Sequence, residues 1–303
     1  MNYSSMILNY TVKPIIEQVF SFKFLLVIIS IFLILSLEIL FLGWEKSSFK
    51  RLFFNPSKSA KLDILVSLLY GFRIVPIITI ICSLGLGDLI PLVVKKYFGY
   101  DLFHSIKNPL LQNIAYMLLY DFVFYWKHRF SHELKWWWEL HKFHHSATEF
   151  NIITANRLHP LDEAVKDIFM CVPLTLVGAP PESYVYIAIF RQIQQFFGHS
   201  MLPWNFGWIG KYLIVSPITH RIHHSTIPEH VDKNYGNLTP IWDRIFGTWY
   251  EGDVLNMSIS VQNNLHNKNP WYQDIWQSYV LCLKEILNSF KSCQKKIIHR
   301  FAK

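Results

Sequence analysis

The chain has 303 residues, of which 51% are hydrophobic, 17% aromatic and 17% charged. An average soluble domain carries about 25% charged residues, and the mean hydropathy here is +0.21. These values exclude a disordered chain, a coiled coil and a nucleic-acid-binding tail. The net charge of +8 is read as positive-inside loops and contact with anionic lipid rather than nucleic acid, with docking of an acidic redox partner as a second reason.

The four cysteines, Cys82, Cys171, Cys282 and Cys293, form no CxxC pair. Neither a disulfide framework nor a thiolate metal site is expected. The N-terminus lacks the basic segment, short apolar core and cleavage site of a signal peptide.

The first apolar run is Phe24 to Leu42, broken by Glu38, and is long enough to span a bilayer. A basic stretch with Lys46, Lys50, Arg51, Lys58 and Lys61 follows and is assigned to the cytoplasm. The second run, Ile64 to Leu84, is expected to kink at Pro76. Leu89 to Val94 is too short to span and is placed in the interface. The third run, Leu110 to Trp126, ends at Lys127 and His128. The fourth, Ile168 to Phe190, is broken by Pro173, Gly178, Pro180 and Pro181. It is read as a hairpin that enters and returns on one side, which keeps the flanking histidines together. The expected fold is therefore an all-α membrane protein. It has about four transmembrane helices, the last a re-entrant or paired hairpin, and a cytosolic helical cap. Residues 1–110 form the N-terminal membrane region, 111–250 the catalytic domain, and 251–303 a polar to basic tail with a surface helix near 274–290.

Histidine carries the chemistry. There are 14, and 11 lie between His128 and His230. His128 and His132 stand i and i+4, on one helix face. His141, His144 and His145 have offsets 0, 3 and 4, and His220, His223 and His224 repeat them. Clustered imidazoles titrate near neutrality and would repel one another if protonated; a metal holds them neutral. The eight exceed one tetrahedral zinc site and suit two metals. Imidazole is compatible with iron, zinc, copper or nickel. No HExxH, GxSxG, P-loop or GxGxxG motif is present. An all-histidine centre needs nearby carboxylates on the distal ring nitrogens. Asp121, seven residues before His128, is the first candidate, ahead of Glu149, Asp162 and Asp232. His199 is a candidate ligand and Gln195, one turn earlier, a candidate partner of a metal-bound water. His159 is a ligand or a supporting residue. His104, His230, His266 and His299 are read as solvated. Trp136, Trp137 and Trp138 line a substrate entrance or form an interfacial belt.

The segments YDFVFYWKHRFSH, HKFHHSATEFNIITANRLHPLD, FGHSMLPWNFGWIG and SPITHRIHHSTIPEHVDKNYGNLTPIWDRIFGTW together resemble the fatty acid hydroxylase/sterol desaturase superfamily of integral-membrane non-haem di-iron oxygenases. The resemblance covers about residues 115–250. It implies two iron ions, replaceable by zinc, held by His128, His132, His141, His144, His145, His220, His223 and His224, with His199 as a ninth ligand. Some relatives carry two histidines where this chain has Gln195 and His199, which leaves one position to water or His159. Asn234, Tyr235 and Asp243 are expected to stabilise the cap. The implied reaction is O2-dependent hydroxylation or desaturation of a lipid drawn from the bilayer. Electrons would come from an external ferredoxin- or cytochrome-type donor, and the membrane would be a bacterial inner membrane or the endoplasmic reticulum. Competing readings are a zinc-dependent membrane hydrolase, with Glu149 or Glu133 as base, and an inactive histidine-rich scaffold. A metal transporter is disfavoured because few ionisable residues lie within the runs.

Overall fold

The computed structural model describes residues 22–84, 86–99, 102–178, 181–252, 259–261, 264, 266 and 268–301. Helices dominate, and among the described residues the β-type pairing is a single bridge between Ser225 and Ile259. The helices are α1 (Phe22–Leu42), α2 (Ser48–Phe53), α3 (Lys58–Gly71), α4 (Ile74–Cys82), α5 (Leu86–Phe98), α6 (Pro109–Glu133) and α7 (Lys135–His145). They continue as α8 (Pro160–Leu176), α9 (Pro181–Gly198), α10 (Gly207–Tyr212), α11 (Pro217–His223), α12 (Ile241–Ile245) and α13 (Trp271–Phe301).

Local signals account for many of the boundaries. The Ser47, Ser57, Asn108 and Ser216 side chains each accept a backbone N–H in the first turn of α2, α3, α6 and α11. Such caps satisfy donors that a helix start otherwise leaves orphaned. Proline opens α6, α8 and α11, where its missing N–H costs nothing.

Of the four expected spans, α1 is a single helix long and apolar enough to cross a bilayer, with mean hydropathy 3.0 over Leu25–Leu42. The second qualifies only as α3 and α4 together, bent by 77°. The bend is not at Pro76. It falls at Arg73, whose φ of 60° is left-handed, while Pro76 sits in the first turn of α4, where no intrahelical N–H bond is lost. Leu89–Val94 is the middle of α5, which packs on α8. The third run belongs to α6, a helix of 25 residues that continues through the histidines to Glu133. The fourth divides into α8 and α9, whose main neighbours differ. α8 packs on α4, α5 and α6, whereas α9 packs on α1, α11 and the 3-10 turn Ile152–Asn156. The return of α9 brings His199 back to the other histidines, as the hairpin reading requires.

Phe103, Tyr116, Tyr120, Val123, Phe124, Met170, Leu174 and Ile187 form one apolar core between α6, α8 and α9. A second core joins Ile34 and Leu35 of α1 to Leu52, Ala60, Ile152, Ala155 and Phe196. Glu38, the polar residue inside α1, is fully buried. Its carboxylate accepts from Ser48 N (2.6 Å), Ser48 Oγ (3.0 Å) and Met201 N (2.7 Å). It thereby ties α1 to α2 and to the segment just after His199. Apolar side chains elsewhere on α1, α4, α5 and early α6 stay exposed, among them Phe32, Leu40, Ile81, Leu92 and Leu110.

The C-terminal segment is not a detached tail. α13 packs lengthwise on α7, with Cys282 and Ile286 against Trp137 and Leu140. Its outward side keeps Trp276, Leu287 and Phe290 exposed.

Candidate metal centre

Four elements deliver the histidines. The last two turns of α6 carry His128 and His132, α7 carries His141, His144 and His145, and α11 with its C-cap carries His220, His223 and His224. His199 follows the end of α9. The side chains converge into two groups of four: His128, His132, His145 and His223; and His144, His199, His220 and His224. Within each group one nitrogen per ring lies within 4.8 Å of all the others. The groups adjoin, with the His145 and His224 rings stacked at 4.2 Å.

The distal nitrogens decide the protonation pattern. His128 Nδ1 contacts the Tyr235 carbonyl at 2.7 Å, His199 Nδ1 that of Gln195 at 2.8 Å, His223 Nδ1 that of Lys233 at 2.8 Å, and His144 Nδ1 that of Arg157 at 3.2 Å. A carbonyl oxygen only accepts, so each of these Nδ1 atoms carries the proton. In a neutral ring Nε2 then presents a lone pair. His144 Nε2 and His199 Nε2 nevertheless face each other at 3.3 Å, and His199 Nε2 faces His220 Nε2 at 3.2 Å. In the His144–His199 pair both are lone pairs, which repel at that distance unless a cation lies between them. The Nε2 atoms of His132, His145, His223 and His224 are buried and have no hydrogen-bond partner among the described residues. This donor set fits two metal ions, with two imidazoles of each group, His128 and His223 in one and His144 and His199 in the other, oriented through the far nitrogen.

His141 stands beside the first group, its ring 5.1 Å from those of His128, His132 and His145. Its Nδ1 bonds Asp162 Oδ2 at 2.9 Å and its buried Nε2 has no partner among the described residues, leaving it available as a fifth donor there. Asp162 also accepts from Trp137 Nε1 at 2.7 Å and sits 3.6 Å from Lys127 Nζ. Burial alone would raise its pKa, but Lys127, His141 and Trp137 together hold it well below the usual carboxylate range. Asp162→Asn removes the charge that orients His141 and leaves Lys127 unpaired. The expected result is about a 10- to 100-fold loss of metal affinity, measured by competition with a chelator.

Asp121 takes a different position from the one expected. Its carboxylate accepts from Leu238 N, Thr239 N, Thr239 Oγ1 and Trp242 Nε1 at 2.9–3.2 Å. It anchors the 238–242 segment, and the histidine-pairing role falls to Asp162. Asp232 Oδ1 lies 3.7 Å from His132 Nδ1, whereas Glu149 pairs with Ser57 away from the centre. The Gln195 side chain is held by Arg191 (3.1 Å) and the Ala155 carbonyl (3.2 Å). Its backbone oxygen is the part that reaches His199. His159 caps α8 and contacts the Ile275 carbonyl at 3.1 Å, so it belongs to the α8–α13 junction. His230 and His266 are buried, not solvated; the side chains of His104 and His299 lie outside the described residues. Trp137 serves Asp162, Trp136 stacks on Trp137, and Trp138 lies 4.9 Å from the His132 ring.

Residues 113–248 match the family model described as fatty acid hydroxylase. That segment belongs to the fatty acid hydroxylase family. The alkylglycerol monooxygenase of Danio rerio is 35% identical over 50% of this chain and 34% of its own length. The ornithine lipid hydroxylase OlsE of Rhizobium tropici is 29% identical over 46% of this chain and 42% of its own. A Delta(7)-sterol 5(6)-desaturase of Aspergillus fumigatus is 26% identical over 73% of this chain and 59% of its own. The chain spans only 25% to 34% of the length of the alkylglycerol monooxygenases it matches. No solved structure matches it.

Within the fatty acid hydroxylase segment, the stretch DKNYG supplies two of the orienting carbonyls, from Lys233 and Tyr235. Asp243 braces it by accepting from Tyr235 N and Gly236 N, both at 2.7 Å, and from Thr248 Oγ1 at 2.6 Å. Asn234, at φ 58°, accepts from Tyr250 N at 2.9 Å. A Cβ on Gly236 would meet Thr239 O at 2.4 Å and Asp243 Oδ2 at 2.7 Å. Gly236→Ala should therefore cost about 1–3 kcal/mol through overpacking and loosen His128. Thermal unfolding followed by circular dichroism, with metal content beside it, measures both.

Burial pushes the histidines of the centre down, His141 and His199 to about 4. Unfolded histidine titrates near ~6.5. Between those values the unfolded chain binds more protons, so the neutral rings stabilise the fold above about pH 6.5, and that contribution is lost as pH falls toward 4. Metal-free protein should melt at progressively lower temperature from pH 7.5 to pH 5. A melting temperature independent of pH over this range would contradict burial of neutral imidazoles.

Proposed function

We propose that this chain is a membrane-embedded non-haem di-iron oxygenase that hydroxylates or desaturates a lipid with O2 and external electrons. The observation that carries the reading is the pair of four-histidine groups, with Nδ1 protons committed to fixed acceptors and Nε2 lone pairs converging. Two iron ions bound there would supply activation of O2 for C–H chemistry. The chain's own contribution is geometric. Carbonyls of Arg157, Gln195, Lys233 and Tyr235 hold four imidazoles in one tautomer, and Asp162 holds His141. In this reading Asp121 and Gln195 act by positioning: Asp121 through the 238–242 segment, Gln195 through its backbone oxygen.

Relatives are named for alkylglycerol, ornithine lipid and sterol, which supports a lipid substrate here. The apolar exposure of α1, α4 and α5 supports a bilayer around the N-terminal helices, in a bacterial inner membrane or the endoplasmic reticulum. With the basic 44–62 stretch inside, the centre faces the cytoplasm. The net charge of +8 suits an acidic ferredoxin- or cytochrome-type donor.

The test is oxidation of a lipid extract by iron-loaded protein with a reductant and isotopically labelled O2. Mass spectrometry should find a lipid that gains one labelled oxygen or loses two hydrogens. A lipid cleaved equally well without O2 would instead establish a hydrolase.

A further inference from the structure

A cavity of about 380 Å3 opens on the first histidine group, a size within the usual 300–1,000 Å3 of small-molecule sites. One wall is His132, His145 and His223, with Trp138 beside them. Five lining residues come from beyond the fatty acid hydroxylase segment, which ends at residue 248: Ser260, Val261, His266, Gln277 and Leu281. On the other face of the centre, a space bounded by Phe124, Leu158 and Arg191 has only about 40 Å3, enough for a few waters.

His266 is an unexplained group on this lining; His230, also buried with both ring nitrogens unpartnered among the described residues, does not line the cavity. His266 is 4% exposed, and both ring nitrogens lack a hydrogen-bond partner among the described residues. Its ring packs against Phe143 at 5.8 Å, and none of the bonds that orient the metal-facing imidazoles involves it. A buried imidazole with two unused polar atoms costs stability unless a ligand satisfies it. Of the two charged residues that line the cavity, Lys142 is paired with Glu139, and Asp232 is largely exposed, 3.7 Å from the His132 ring. Burial, then Lys142 and Arg157, keep His266 neutral, with its pKa pushed down to about 4. Trp138, Val231, Val261 and Leu281 supply apolar surface.

We propose that this cavity is the substrate site and that His266 hydrogen-bonds the uncharged polar head (hydroxyl, ether or amide) of an amphiphilic lipid. The proposal rests on the oxygenase reading for the word substrate. On it, the C-terminal segment selects the head group, while the histidine-bearing helices position the metals.

The experiment uses full-length protein in detergent and hexadecanol carrying a diazirine next to its hydroxyl, with the matching hexadecanoate as comparison. After irradiation, peptide mass spectrometry should place adducts at Trp138, Val261 or Leu281. His266→Ala should lower labelling about fivefold, the worth of one hydrogen bond, and His266→Gln should restore most of it. Leu281→Trp, which fills the cavity, should abolish it while leaving the circular dichroism spectrum unchanged. Adducts confined to Phe124, Leu158 or Arg191 would overturn the proposal. So would unaltered labelling of His266→Ala, and hexadecanoate labelling as strong as that by the alcohol would overturn the uncharged head. Labelling needs neither iron nor O2. Protein that labels as expected but forms no O2-dependent product loses the oxygenase reading alone. Protein that oxidises lipid but labels elsewhere loses this inference alone.

Discussion

Replacing His144 and His223 together with alanine should take the protein from about two metal ions per chain, one per histidine group, to none. Each substitution removes one imidazole from a different group, so neither ion keeps its ring of donors. Elemental analysis of detergent-purified protein measures the loss, after anaerobic iron reconstitution because zinc competes for imidazole sites during expression. The single variants should each lose about one ion. His144 lies against His199 and His224, whereas His223 lies against His128 and His132. No metal in the unmutated protein even after reconstitution would sink the di-iron reading. Helical content should survive in the double variant, because the apolar cores between α6, α8 and α9 and around α1 do not include these rings.

Arg157→Met is expected to be the most destabilising single change outside the centre. Arg157 is fully buried and its Nε lies 2.6 Å from Asp63 Oδ1. Its Nη atoms donate to Ser146 Oγ, Ser59 O and Ser59 Oγ at 2.6–3.2 Å. Asp63 in turn accepts from Asn151 Nδ2 and Thr154 Oγ1, each at 2.8 Å. Breaking a buried ion pair by removing one partner costs about 3–5 kcal/mol, because the other charge is left without compensation. Pairing Arg157→Met with Asp63→Leu should recover much of that loss, and the shortfall from additivity reports the coupling. The site should feel the change too. The Arg157 carbonyl orients His144, so the second histidine group should lose metal before the first. Thermal melting of the three variants, with metal content measured on each, checks both parts. A double variant less stable than either single one would refute the ion-pair account.

The helical, histidine-based plan was legible in the sequence because its determinants are local. Offsets of 0, 3 and 4 put His141, His144 and His145 on one face of any α-helix, whatever lies around it, and the same holds within α6 and α11. Gly178, at φ 71°, follows the end of α8, so a break before α9 and the return of His199 could be anticipated, whereas Pro173 does not break the run but lies inside α8. The kink was misplaced at Pro76 because proline in a first turn is harmless, whereas the left-handed Arg73 leaves no mark on composition.

What the amino-acid sequence by itself determined was therefore the set of imidazoles that share each helix face, and with it the expectation of a metal centre. Only the tertiary structure decided how they divide into two groups, which carbonyls hold the Nδ1 atoms of His128, His144, His199 and His223, and that Asp162 rather than Asp121 serves His141. It also decided that Arg157 and Asp63 meet and that His266 is buried beside the first group. The Nδ1 acceptors of His199, His223 and His144 lie 4 to 13 positions away, but the other pairings join residues 21 to 134 positions apart. Helix periodicity fixes directions over a few turns, but contacts across such separations are set by how whole helices pack, which is a property of the assembled core.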